Sequence, residues 1–247
     1  MSQPLPLEET IEENHAQNQQ QTYLLKSINS SILIRQIPSD GLSFQLWPAA
    51  TTLVNLLDRH RRRESTPLSS LFTTGAAQRR LRLLELGSGT GMVGIAAAVL
   101  LGASVTVTDL PHVLPNLQFN VDANAGILDL HGGSVDVAAL SWGEIQEMER
   151  IGRDYDVIVG SDVVYHDHLY EPLLETLRFF LLGSEKKVVF LMAHLKRWKK
   201  ESTFFKKAKK YFDVEVIHTD SPCNGSRVGV NVYTFVKRGG ENLNSLS

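Results

Sequence analysis

Hydrophobic and polar positions follow different rhythms in different parts of this 247-residue chain. Residues Met1 to Gln21 are rich in Glu, Gln and Asn and offer little to bury, which predicts a disordered tail. The run Ser31-Ile32-Leu33-Ile34-Arg35-Gln36-Ile37 alternates as a half-buried strand does. Pro38-Ser39-Asp40-Gly41 is a turn signal, and Leu42 to Trp47 is predicted as a second strand, giving a hairpin. Pro48 suits the first turn of a helix that carries Leu53, Val54, Leu56 and Leu57. Arg59 to Gln78 is polar and reads as an exposed connection.

From Leu81 the pattern changes to short apolar strands alternating with helices. Strands are predicted at Leu81–Leu86, Ser104–Asp109, Gly133–Leu140, Tyr155–Ser161, Lys187–His194, Val214–Thr219 and Asn231–Lys237. Helices are predicted at Met92–Leu101, Val113–Ala123, about Tyr170 to Leu182, and Lys199–Tyr211. Such alternation implies an α/β fold, a mostly parallel sheet of seven strands with helices on both faces. The last two strands have no helix between them and are expected to pair antiparallel. The organisation expected is a tail at 1–21, an extension with hairpin, helix and loop at 22–80, a Rossmann-like domain at 81–238, and a tail at 239–247.

The first of these strands runs into Glu85-Leu86-Gly87-Ser88-Gly89-Thr90-Gly91 and then a helix. Glycine lets the backbone turn tightly and approach a ligand, and the helix start offers free N–H groups. Asp109 ends the next strand, twenty residues beyond Gly89, where a carboxylate can accept both hydroxyls of a ribose. Gly89-Thr90-Gly91-Met92-Val93-Gly94 also fits the dinucleotide fingerprint, so the glycines alone leave two cofactors open. Glu85 favours S-adenosylmethionine, because an acid beside the turn repels a pyrophosphate and attracts a cationic amino-acid group. So do the roughly eighty residues that precede the strand, since a dinucleotide domain often begins near it.

Composition adds limits. The net charge is -2, with 43% hydrophobic and 21% charged residues, the profile of an ordinary globular protein with no overall bias toward a polyanion. Cys223 is the single cysteine, so no internal disulfide forms, which fits a reducing compartment. The acids at Glu8, Glu9, Glu12 and Glu13 argue against a signal or transit peptide, and no apolar run is long enough for a bilayer span. The expected compartment is the cytoplasm, with the nucleus left open. Ten of the 25 basic residues fall between 186 and 210, and Arg59-His60-Arg61-Arg62-Arg63 forms a second basic run. Solvated helix surfaces are the ordinary reading of both. His166, Asp167 and His168 lack the companion ligands of a metal site.

With Glu85-Leu-Gly-Ser-Gly-Thr-Gly91, Val107-Thr108-Asp109-Leu110 and Ser161-Asp162-Val163-Val164-Tyr165, the chain resembles the protein-lysine methyltransferases of the seven-strand fold. Members of this methyltransferase-like family modify chaperones, elongation factors and similar proteins. The resemblance runs from about Ile32 to Lys237 and is carried most specifically by the glycine turn, the Asp-x-x-Tyr motif and Leu46-Trp47-Pro48-Ala49. It implies S-adenosylmethionine as cofactor and a protein as substrate, with a chaperone or translation factor among the candidates, and a monomeric enzyme. It also implies cofactor contacts at Trp47, Glu85, Gly87, Ser88, Gly89, Asp109, Trp142 and Ser161, the last where relatives often carry alanine. Read without the resemblance, Trp47 is a core residue capping the hairpin, and Trp142 is as readily a packing residue near a strand end.

Asp162 and Tyr165 are the expected catalytic pair. Methyl transfer to lysine needs a neutral amine, and a free lysine with a pKa near ~10.4 is neutral in roughly one molecule in a few thousand at pH 7. Asp162, at the carboxyl end of the fourth strand, can accept an N–H and orient the amine, although its charge also favours the ammonium. Tyr165 can wall the site and hydrogen-bond. The local alternative makes Asp162 a helix N-cap and Tyr165 a packing residue. Three other functions compete: a nucleic-acid methyltransferase, which the valines in place of an Asp-Pro-Pro-Tyr motif disfavour; a non-catalytic cofactor-binding scaffold; and an NAD-linked oxidoreductase, which Glu85 disfavours.

Overall fold

The computed structural model describes residues 19–72, 79–197, 200–222 and 229–239. Its centre is a seven-stranded sheet in the order β5-β4-β3-β6-β7-β9-β8. The strands are β3 (Arg82–Leu86), β4 (Ser104–Asp109), β5 (Ser134–Ala139), β6 (Val157–Ser161), β7 (Val189–Leu195), β8 (Phe212–Thr219) and β9 (Val230–Lys237). The first five are mutually parallel, whereas β9 lies antiparallel between β7 and β8. The antiparallel pairing of the last two strands is therefore observed as expected. From β3 the chain winds outward to β4 and β5, then returns to place β6 on the other side. A crevice opens at the carboxyl ends of strands where winding reverses, here β3, β4 and β6.

Adjacent residues on β3 serve opposite faces, as the period of two requires. Leu83 packs with helices α1 (Pro48–Arg61) and α3 (Met92–Leu101), while Leu84 and Leu86 pack with α7 (Tyr170–Leu182) and α8 (Glu201–Ala208). The inner parallel strands β3, β6 and β7 are buried on both sides, which is why they read as nearly continuous apolar runs, whereas the edge strand β5 is only partly buried. Two further helices on these faces, α5 (Ala125–Leu130) and α6 (Ile145–Ile151), were not foreseen. Each is under two turns long, too short to establish a 3.6-residue period.

The N-terminal hairpin exists but uses different strands. Strand β1 (Gln19–Leu25) pairs antiparallel with β2 (Ser30–Gln36), so the segment expected as tail to Gln21 contributes three strand residues; residues 1–18 lie outside the described part. Asn29 turns the hairpin in a left-handed conformation (φ 49°) that asparagine tolerates. Leu42–Phe44 is a 3-10 turn rather than a strand. The reason lies in β2, whose two edges are already taken. One edge holds β1. Along the other, Asn124 on α5's leading edge pairs reciprocally with Leu33 (2.9 and 2.7 Å), and Asn120 does the same with Arg35 (2.7 and 3.1 Å). These asparagines, together with Asn116, project from helix α4 (Leu114–Ala123) and its end at four-residue spacing, one face of a helix. Their amides act as a strand edge would. Asp58 of α1 fixes the hairpin turn by accepting the Ser27 N–H at 2.9 Å.

The connection expected to be exposed from Arg59 to Gln78 is partly packed. Helix α1 continues to Arg61, and Thr66, Leu68 and Leu71 are buried around the short helix α2 (Ser69–Phe72); residues 73–78 lie outside the described part. The expected helix at Lys199–Tyr211 is observed from Glu201 to Ala208, with Lys199 outside the described residues, as are Cys223 and 240–247 of the expected terminal tail. Among the described residues no helix is long and apolar enough to cross a membrane.

Candidate active site

The glycine turn hangs on two hydrogen-bonded posts. At its base, the Ser88 N–H donates to the Thr108 carbonyl (2.9 Å), and the Ser88 hydroxyl accepts the Thr108 N–H (3.0 Å), tying the turn to β4. At its tip, the Gly89 N–H donates to Asp109 Oδ2 at 2.7 Å. Gly89 has φ 55°, and a Cβ there would lie 2.9 Å from the carbonyl oxygen of Ser43, so only glycine fits both the turn and the 3-10 segment crossing it. Gly94 serves the packing behind it. A Cβ there would stand 2.3 Å from Val107 and 2.7 Å from Glu85 Oε2, which lets α3 lie close on the sheet.

Glu85 is fully buried on the α3 face. Its Oε2 accepts the Gly94 N–H at 2.9 Å, and its Oε1 has no hydrogen-bond partner. Burial pushes its pKa up to about 8. Asp109 is also buried, and burial raises its pKa although the N–H groups of Gly89 and Leu110 (2.8 Å) favour its charged form.

The remaining expected residues lie in the loops after β5 and β6 and at the start of α1. The ring of Trp142, in the loop after β5, lies so close to Gly87 that a Cβ at Gly87 would come within 2.9 Å of Trp142 Cζ2. Tyr165 is exposed in the loop after β6, with its ring against His166; burial raises its pKa, and the Asp109 charge adds to the effect. Trp47 is the N-cap residue of α1, and its indole N–H donates to the Leu42 carbonyl at 3.0 Å; partly buried and bonded to the 3-10 segment rather than to the β1–β2 hairpin, it is not the core hairpin cap of the local reading. Ser161 ends β6 beside Ala193 of β7.

Asp162 follows at once in a left-handed conformation, φ 55°, unusual for a residue with a side chain and restricted to tight functional or turn positions. Its backbone N–H donates to the Ala193 carbonyl, and its carboxylate is nearly buried against the end of β7. Oδ1 accepts the Leu195 N–H at 2.9 Å, and the Arg197 guanidinium spans both oxygens at 3.2 and 3.0 Å. Burial alone would raise the Asp162 pKa, but His194, Arg197 and the Leu195 N–H outweigh it and hold the carboxyl below its usual range. The local alternative of a helix N-cap is not what is seen, because the 3-10 turn and α7 begin only at Asp167.

Sequence reasoning missed Arg197, His194, Glu201 and Ser43. Arg197 was grouped with the basic stretch 186–210, most of whose other described members do lie on the surface, Lys186 pairing with Asp154 and Lys207 with Glu171. Arg197 is exposed as well, but its guanidinium folds back onto the buried Asp162, with its Cζ 5.0 Å from the Trp47 ring centroid. The run at 59–63 behaves as a helix end, with Arg59 and Arg62 paired to Glu64. His166 and His168 stack on each other, and no group of three or more metal-ligating side chains occurs among the described residues.

A mostly parallel seven-stranded sheet with a glycine turn after β3, an acid ending β4 and an aspartate just past β6 defines a seven-strand methyltransferase. The chain belongs to the lysine methyltransferase family, whose model matches residues 26–211. Protein N-lysine methyltransferase METTL21A of Mus musculus is 38% identical over 213 residues, 85% of each chain, and that of Danio rerio is 38% identical over 156 residues, 63% of this chain and 66% of the relative. EEF1A lysine methyltransferase 3 of Mus musculus is 32% identical over 194 residues, 78% of this chain and 72% of the relative. Among solved structures, the delta-N METTL16 methyltransferase domain shares the fold at TM-score 0.51 and 12% identity, covering 78% of this chain and 84% of that one.

Proposed function

We propose that this chain acts, as a monomer, to transfer the methyl group of S-adenosylmethionine to the side-chain amine of a lysine in a protein substrate. The observation that carries the reading is Asp162, an ionised, nearly buried carboxylate held just past β6 and across the crevice from the glycine turn.

The residues present fit the cofactor. The unpartnered Glu85 Oε1 is a buried acceptor beside the turn, suited to the cationic amino-acid end. The backbone of Gly87, Ser88 and Gly89 gives close approach, Asp109 retains acceptor capacity for ribose hydroxyls, and Trp142 offers an apolar ring for the base. Trp47 and Ser161 complete the rim. The bound sulfonium supplies an electrophilic methyl. The lysine nitrogen contributes the lone pair of the new N–C bond as the C–S bond breaks, and the nitrogen then sheds one proton. Asp162 orients that nitrogen by accepting an N–H, and Tyr165 walls the approach; alignment supplies most of the rate.

The substrate class follows from the relatives' names, one of which acts on elongation factor EEF1A. Val163 and Val164 are buried in the core, so the loop lacks the proline-shaped slot that a planar base amine needs. Purified protein, methyl-labelled cofactor and a vertebrate cell lysate, with and without nuclease, form the test. A labelled protein band insensitive to nuclease is expected. A signal destroyed by nuclease would assign the activity to nucleic acid instead.

A further inference from the structure

The carboxylate that orients the lysine poses an electrostatic conflict, since an uncompensated aspartate stabilises the unreactive ammonium. The structure contains a counter-charge. The Arg197 guanidinium forks across both Asp162 oxygens, at 3.2 and 3.0 Å, in the planar arrangement that matches a carboxylate. Arg197 is itself fixed from three sides. Its backbone N–H donates to Glu201 Oε2 at 3.1 Å, its Nη1 donates to the Leu195 carbonyl at 3.3 Å, and its guanidinium lies over Trp47. Behind the pair, the buried His194 ring stands between the two carboxylates, Nδ1 3.6 Å from Asp162 and Nε2 3.1 Å from Glu201. Glu85 and Asp109 lie across the crevice at the glycine turn, and Lys200 and Asp167 pair outside it.

A carboxylate oxygen offers two acceptor positions. On Asp162, Oδ1 takes the Leu195 N–H and one Arg197 N–H, whereas Oδ2 takes a single Arg197 N–H and keeps one position open. We infer that Arg197 is a positioning residue for methyl transfer: it cancels the charge of Asp162 while leaving Oδ2 free to accept an N–H, so that the lysine is held as a neutral amine. This rests on the reading of Asp162 given above.

The test is the pH dependence of initial methyl incorporation into the nuclease-insensitive lysate band, at saturating labelled cofactor. In Arg197→Gln the uncancelled carboxylate favours the ammonium, and the rising alkaline limb moves up by about one pH unit or more. Arg197→Lys, which keeps the charge and loses the fork, retains the wild-type limb with a lower plateau. Asp162→Asn keeps an acceptor oxygen but leaves the Arg197 cation unmatched, so its residual activity shows the limb moved to lower pH. Where the Arg197→Gln protein does not fold, Arg197→Met provides a second uncharged variant, and its limb is expected to move up in the same way. Rates lowered equally at every pH in Arg197→Gln and Asp162→Asn, with the limb unmoved, would make Arg197 a structural prop and overturn the inference. Normal turnover of Asp162→Ala would instead remove Asp162 from the mechanism. A wild-type protein that labels no protein band overturns the functional reading, and this inference with it.

Discussion

The buried carboxylate of Glu85 gives one oxygen to the Gly94 N–H at 2.9 Å and leaves the other without a partner. Burial pushes its pKa up to about 8, which disfavours the ionised form in the free protein. A cationic ligand arriving beside it favours the ionised form, so binding releases a proton. Affinity for S-adenosylmethionine is expected to rise between pH 6 and 8, by at most about tenfold per unit for one proton. Calorimetry in two buffers of different ionisation enthalpy reads the released proton directly. Glu85→Gln should bind more weakly and with a flatter pH dependence; an unchanged slope would detach Glu85 from the cofactor.

The same group makes the folded protein sensitive to base. Below its ordinary pKa of 4.5 both folded and unfolded chains hold the proton, and the stability it contributes is complete. Between 4.5 and about 8 the unfolded chain ionises first. Stability is then lost at up to about 1.4 kcal/mol per pH unit from this residue alone. Urea denaturation at several pH values, in wild type and Glu85→Gln, is expected to show a shallower decline in the variant.

Asp162→Ala should lower methyl transfer on the order of 100-fold or more while leaving cofactor affinity within a few-fold. Single-turnover labelling and calorimetry separate the two effects. Loss of both together would mean that Asp162 supports the cofactor site rather than the amine.

Asn120 holds three structures at once, pairing with Arg35 in β2 and donating to the Thr90 carbonyl in the glycine turn at 2.9 Å. Asn120→Ala leaves the Arg35 N–H without this partner and the Arg35 carbonyl with the longer Asn116 contact at 3.4 Å, and is expected to destabilise the protein by about 1–3 kcal/mol. Hydrogen exchange should quicken in β1 and β2 before it quickens in the central strands. Uniform change across the sheet would contradict a hairpin docked by asparagine side chains.

Gly94→Ala is expected to destabilise by about 1–3 kcal/mol, because the added methyl meets Val107 at 2.3 Å and the Glu85 carboxylate at 2.7 Å. Thermal unfolding measures the cost, and a weaker cofactor titration should accompany it as Glu85 is displaced.

Much of this architecture is local and therefore readable along the chain. The inner parallel strands β3, β6 and β7 are short apolar runs, and their length and flanking turn signals mark them as strands. The glycine turn and Asp109 are legible because a tight phosphate-free turn and its carboxylate partner sit at a fixed separation set by one strand–helix–strand unit. The fold class and the antiparallel finish follow from such runs, whereas Trp47, Trp142, Ser161, Asp162 and Tyr165 were expected mainly through the family resemblance.

What depended on edges and charges brought from afar was not legible. Gln19, Gln20 and Gln21 look like tail because their side chains bury nothing, and they are a strand because β2 leaves an edge free for their backbone. Leu42–Phe44 looks like a strand and is not, because asparagines on a helix took the other edge. Asp162 was recognised from its motif, but its partner Arg197, 35 residues on, was counted among surface cations. The sequence determined which residues carry charge and which segments alternate. Tertiary structure alone decided which charges meet, because an ion pair forms by proximity in space, and spacing along the chain carries no record of it.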